Sequence, residues 1–201
     1  MIDTGGALPA GLYEDDDGTI VMIDAEGLMY RSDSEGNVEG PFDLIQKTLI
    51  SDQGVPLQHL VRAPGAGTSG LDRFFFSVPD REEHQIIARK KVSAVVYGGR
   101  SELDDGVGLD SGETLDPLVI AFDPSSTRLM VMEARGLLQV LDPSSVDSDR
   151  RFVTKWGLFG DGPGEFQISP NTAIAMVVDS QGRIHVVDGA SEGGRGQVFP
   201  P

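Results

Sequence analysis

A fixed internal period constrains this chain more than any other feature. Four segments of apolar residues follow turns: Thr19-Ile20-Val21-Met22-Ile23-Asp24, Arg73-Phe74-Phe75-Phe76-Ser77-Val78, Arg128-Leu129-Met130-Val131-Met132-Glu133 and Arg183-Ile184-His185-Val186-Val187-Asp188. Taking Ile20, Phe74, Leu129 and Ile184 as equivalent, the intervals are 54, 55 and 55 residues. A constant period means one supersecondary unit repeated, each copy burying its apolar face against the next.

The surroundings of each segment fill in the unit. Upstream lie Leu118 to Asp123 and Ala173 to Asp179, continuous apolar runs that read as strands buried on both faces. Downstream lie Gly27 to Arg31, Gln85 to Arg89, Gly136 to Leu141 and Gly196 to Phe199, and two units add a wetter strand, Val92 to Tyr97 and Phe152 to Trp156. Turns of Gly, Asp and Ser join them. Only Phe42 to Leu49 has any helical spacing. Glycine is 26 of 201 residues, nearly twice the usual ~7%, as a chain of many tight turns requires.

Four-stranded units with the most apolar strand first predict an all-β fold: a β-propeller of antiparallel four-stranded blades, about four blades in a single domain. The approximate blades are 1–56, 57–111, 112–166 and 167–201, with the first and last incomplete. No convincing inner strand precedes Thr19, and the last unit reaches Phe199-Pro200-Pro201 without an outer strand. The expectation is a partial or open ring, a piece of a larger one, with self-association through its open blade faces.

Charge and composition exclude some functions. Sixteen basic against 32 acidic residues give a net charge of −16, which repels phosphate backbones and argues against nucleic acid. Arg89-Lys90-Lys91 and Arg150-Arg151 read as local charge balance. No apolar run approaches the ~20 residues of a membrane helix. The N-terminus does not read as a signal peptide. With no Cys there are neither disulfides nor thiolate metal sites.

From Lys155 onward the chain resembles an NHL-type repeat, within the group of bacterial six-bladed β-propellers. The carrying residues are Trp156-Gly157-Leu158-Phe159-Gly160-Asp161-Gly162-Pro163-Gly164-Glu165-Phe166, then Ile174 to Val178, then Asp179-Ser180-Gln181-Gly182-Arg183-Ile184-His185-Val186-Val187-Asp188. Residues 116–157 match only in strand pattern, and residues 1–100 match by period and by Asp17 to Asp24. The resemblance implies a non-catalytic module that binds a protein, peptide or glycan through its loop-rich face. It also implies an alternative, a metal-dependent lactonase-like hydrolase or a lyase. Bacterial relatives of this kind are often exported, which implies a periplasmic or secreted location.

The glycine-rich run 156–166 reads as a structural corner with Phe166 buried between blades. No helix follows it, so it is no dinucleotide fingerprint. In a propeller, the loops from second to third strand and from blade to blade share one face. Here they hold Asp24, Glu26, Asp161, Glu165, Asp188 and Glu192. Such a carboxylate ring has the oxygen chemistry of a Ca²⁺ site, although tight turns use the same residues. Metal-holding lactonase relatives use Glu and Asn, which singles out Asn171 of the two asparagines, Asn37 and Asn171. The candidate metal positions are therefore Asp24, Glu26, Asp161, Asn171 and Asp188. The acidic run 101–116 reads as a solvated loop. The histidines His59, His84 and His185 fall in three units, and His185 reads as packed between blades. No Gly-x-Ser-x-Gly elbow or Ser-His-Asp set is found, so no catalytic residue and no cofactor is expected.

Overall fold

The computed structural model of the chain describes residues 9–15, 17–25, 28–43, 59–63, 73–78, 85–90, 93–97, 114, 117–144, 152–168, 174–189 and 194–201, with residues 43 and 73–97 described by backbone alone. Among the described residues, fifteen strands form four antiparallel sheets. The first holds β1 (Pro9–Glu14), β2 (Ile20–Asp24), β3 (Leu28–Ser32) and β4 (Val38–Asp43). The second holds β5 (His59–Ala63), β6 (Arg73–Val78), β7 (Gln85–Lys90) and β8 (Ser93–Tyr97). The third holds β9 (Pro117–Asp123), β10 (Arg128–Glu133), β11 (Leu138–Leu141) and β12 (Phe152–Trp156). The fourth has three strands, β13 (Ala175–Val178), β14 (Ile184–Asp188) and β15 (Arg195–Phe199).

Every sheet is a meander in which each strand pairs with its successor. Ile20, Phe74, Leu129 and Ile184 all lie on the second strand of their sheets, as the period requires. First strands lie side by side in series: β1 beside β5, β5 beside β9, β9 beside β13.

Turn chemistry explains the meander. Asp15, Asp33, Glu133 and Asp179 each open a five-residue turn of the form acid-x-x-Gly-x. In each, the acid's N–H donates to the carbonyl of the fifth residue, and the glycine's N–H donates back to the acid's carbonyl. Gly18, Gly36, Gly136 and Gly182 hold φ between 76 and 84° there, the left-handed region that closes a type I turn with a bulge. The turn after β9 lacks that glycine, and Thr127 takes φ 56° instead. Asp123 braces it by accepting from Ser125 Oγ (2.7 Å) and Ser126 Oγ.

The third sheet is enclosed. One face, Val119, Ala121, Met130, Met132, Leu138 and Val140, packs with Phe166, Met176, Ile184 and Val186 toward the fourth sheet. The other, Ile120, Phe122, Leu129, Val131 and Leu141, packs with Ala63 of β5. Each of these large apolar side chains contributes roughly 1.5–3 kcal/mol on burial. The outer strand β12 is wet, with Val153, Thr154 and Lys155 exposed.

Three expectations need correction. The first sheet does have an inner strand, β1; its Pro, Ala and Gly have little strand propensity, but the ladder to β2 and close packing of Gly11 on Leu60 hold it extended. The inner strand of the last unit is not buried on both faces: Ala175 and Val177 are exposed, because among the described residues the fourth sheet has a neighbour on one side only. Phe42 ends in β4, not in a helix; residues 44–49 of that segment lie outside the described residues. No helix among the described residues is long and apolar enough to cross a membrane.

Candidate functional site

In the first, third and fourth sheets the second strands β2, β10 and β14 run to the same end of the sheets as β12. Asp24, Glu133 and Asp188 are the last residues of β2, β10 and β14, and all three are fully buried. A buried carboxylate must be hydrogen-bonded. Asp24 accepts from the Leu28 N–H (2.9 Å) and the Tyr30 hydroxyl (3.4 Å). Glu133 accepts from Arg135 Nε (2.6 Å) and from Gln139 Nε2. Asp188 accepts from Arg195 Nη2 (2.7 Å), Arg195 Nε (3.4 Å) and the Gln167 N–H (3.1 Å). These carboxylates tie down their own hairpins.

Of the other candidate ligands, Asp161 is exposed, and Glu26, Glu192 and Asn171 lie outside the described residues, as do His84 and the run 101–113. Among the described residues, no three His, Cys, Asp or Glu side chains are placed to hold a metal. Asn37 donates to Asp33 Oδ2 (2.8 Å), and that bond holds the Asp33 carboxyl below its ordinary range. His59 is half-buried, and burial lowers its pKa. His185 is not packed between sheets; it lies half-exposed on the open face of the fourth sheet, with Nε2 2.9 Å from Asp179 Oδ2. That bond, with Arg183 adding to it, holds the Asp179 carboxyl well below the usual range.

A polar hollow of about 220 Å³ opens at the opposite end of the first sheet. Asp17, Thr19, Arg31, Asp33, Asn37 and Glu39 line it. Arg31 lies 3.4 Å from Asp15 and 3.6 Å from Asp17, so its charge is already balanced within the wall.

The glycine-rich corner is the most elaborately braced loop described. Arg195 of β15 donates to the carbonyls of Gly160 (3.4 Å), Asp161, Gly162 (3.3 Å) and Glu165 (2.7 Å) while holding Asp188. The hydrogen bond to Asp188 raises the Arg195 pKa further. Gln197 donates to the Glu165 carbonyl (2.7 Å) and accepts from the Gly164 N–H (2.9 Å). Glu165 Oε2 accepts from the Gly162 N–H (2.9 Å). Phe166 is fully buried, its ring centre 5.7 Å from that of Phe199.

On this fixed corner stand two adjacent exposed side chains, Leu158 (67% exposed) and Phe159 (66%). The Leu158 carbonyl accepts from the Phe166 N–H (2.8 Å), so the backbone beneath them is held. Large apolar side chains on a rigid support are the anchors that protein interfaces use. The sequence reads as a corner over this run, without this exposed pair. Their signal was available: an apolar pair bracketed by Gly157 and Gly160 has no strand in which to be buried.

No family model matches the chain, and no curated protein sequence matches it. A chain in the crystal structure of a nidogen/laminin complex is similar in structure, with TM-score 0.51 and 13% identity, over 100% of this chain and 82% of that one. At that identity the likeness concerns the fold: an all-β succession of sheets along the whole length.

Proposed function

We propose that this chain is a non-catalytic binding module of the propeller type, with NHL-like blades from a six-bladed array, and that it binds a protein or peptide at the Leu158–Phe159 corner. The observation that carries the reading is that exposed pair, on a loop that Arg195, Gln197 and Phe166 fix in advance. A preorganised anchor loses little conformational freedom on binding, so its apolar contact converts more fully into affinity. The structural neighbour supports the same direction, since its structure is that of a protein–protein complex. A metal-dependent hydrolase would need a ligand set, and the described residues offer none to build on. The NHL-like resemblance also carries the proposal of a periplasmic or secreted location.

The test is comparative capture. Native chain and a Leu158→Ser/Phe159→Ser variant, shown to melt at the same temperature, are immobilised and exposed to the same extract and to a glycan array. Truncating a true anchor costs about 2 kcal/mol or more, enough to strip a partner from the variant. Proteins retained by native chain and lost by the variant support the reading. Equal retention by both, or binding of glycan alone, overturns it.

A further inference from the structure

The corner that carries Leu158 and Phe159 also carries charge of one sign. Asp161 and Glu165 belong to the same loop, and Asp161 is exposed. The loop is closed at its base by the Phe166 N–H on the Leu158 carbonyl (2.8 Å) and the Gly160 N–H on the Phe166 carbonyl (3.2 Å). That closure keeps both acidic residues beside the apolar pair. Glu165 Oε2 accepts from the Gly162 N–H (2.9 Å), and a side chain at Gly160 would collide with the same carboxylate. The Glu165 charge therefore lies against the residue that follows Phe159.

The neighbouring cations are already committed. Arg195 places two donors on Asp188, at 2.7 and 3.4 Å, and the others on the carbonyls of the loop. The Asp188 hydrogen bond first, and then the charges of Asp188, Asp161 and Glu165, raise the Arg195 pKa, so the two loop carboxylates lie within its field. Arg135 stands on the β10–β11 hairpin, where Gly136 packs on the backbone of Leu158 and Phe159, and its Nε is 2.6 Å from Glu133. The Lys155 ammonium turns back along β12, 5.9 Å from the centre of the Phe152 ring. Among the described residues, then, two arginines (+2) stand against Asp188, Glu133, Asp161 and Glu165 (−4), which leaves a net −2 beside the exposed apolar pair.

We propose that the partner of this corner is a basic protein segment, with an apolar or aromatic side chain seated on Leu158 and Phe159 and an adjacent Lys or Arg placed on Asp161 and Glu165. The inference rests on the reading that the corner binds a protein or peptide, and adds which kind. Apolar contact at the anchors supplies the affinity, and charge at their rim supplies selection and speed of encounter. An acidic segment would set like charges side by side at the same place, which is the repulsive half of specificity. An arginine in the partner gains a second contact, because its guanidinium can lie over the exposed Phe159 ring. The charge of −16 on the whole chain draws such a segment in from a distance, and the apolar pair fixes where it lands.

The experiment selects short random peptides displayed on phage against native chain, after counter-selection on the Leu158→Ser/Phe159→Ser variant. The two chains have the same net charge, so peptides held by charge alone are removed first. Selected peptides are expected to carry Lys or Arg next to an apolar or aromatic residue. Their affinities are then measured on native chain, on Asp161→Asn/Glu165→Gln and on Asp17→Asn/Glu39→Gln, all with unchanged circular dichroism. Gln at 165 keeps an acceptor for the Gly162 N–H, and the last variant removes the same two charges at the distant hollow of the first sheet. Binding to Asp161→Asn/Glu165→Gln is expected to be about fivefold weaker than to native chain at low salt, the worth of two exposed ion pairs. That gap should close as salt rises, and the distant variant should bind like native. Selected peptides that are neutral or acidic, undiminished binding to Asp161→Asn/Glu165→Gln, or an equal loss at the distant variant would overturn the inference and leave the binding corner standing. A native chain that selects no peptide beyond those the Leu158→Ser/Phe159→Ser variant also holds would overturn both.

Discussion

Phe166 and the three strand-end carboxylates show what single residues can and cannot reveal before the fold is known. Phe166 sits between the third and fourth sheets with no exposed surface. Its Ala substitution is expected to destabilise the chain by roughly 3–5 kcal/mol, since the corner above it is stapled and cannot collapse into the cavity. Denaturant melts of native and Phe166→Ala chains measure this; an unchanged midpoint would mean that the corner is not seated on the core. The residue was legible from the glycines that precede it. Asp24 and Asp188 were legible as acids in turns, but not as buried ones. What decides between a capping carboxylate and a metal ligand is its partner. Here Tyr30 and Arg195 arrive through strand register, several residues away. Leu158 and Phe159 were missed for the converse reason. Apolar residues are assigned to the interior by default; the bracketing Gly157 and Gly160 point the other way, and the braced backbone holds both side chains out to solvent.

At the scale of elements, the acid-x-x-Gly-x turns made the meander readable, and glycine does two different jobs within it. A side chain at Gly18 would meet nothing within 4 Å, so Gly18→Ala meets only the left-handed backbone cost of roughly 1–2 kcal/mol. At Gly157, φ is 103°, and an added Cβ would lie 2.5 Å from the Gly136 carbonyl and 2.9 Å from the Phe166 ring. Gly157→Ala therefore adds overpacking of about 1–3 kcal/mol to a similar backbone cost. Thermal melts of the two variants should separate clearly, with Gly157→Ala the lower; equal midpoints would show that the corner does not pack on the β10–β11 hairpin. Strands with apolar runs, β9 and β10 above all, were plain in the sequence. β1 was not, because Pro9, Gly11 and Glu14 give it no strand pattern, and it owes its conformation to β2 and Leu60. The segment of β13 misled in the other direction. Its apolar residues match those of β9, yet half of them face solvent, since burial on both faces depends on a neighbouring sheet that no local pattern encodes.

At the scale of the whole molecule, equivalent sheets stand in series, the third enclosed and the fourth, among the described residues, covered on one side. The fixed corner is built where the third sheet hands over to the fourth. The chain has no cysteine of its own, so one introduced thiol reports its own position without interference. Ala121 and Val177 occupy the same place in consecutive sheets, the first 4% exposed and the second 59%. The decisive measurement is the maleimide labelling rate of Ala121→Cys and Val177→Cys chains in dilute solution. Cys at 177 is expected to react like a free thiol, and Cys at 121 only through local opening and far more slowly. Equal rates at the two positions would contradict the stacking of the sheets.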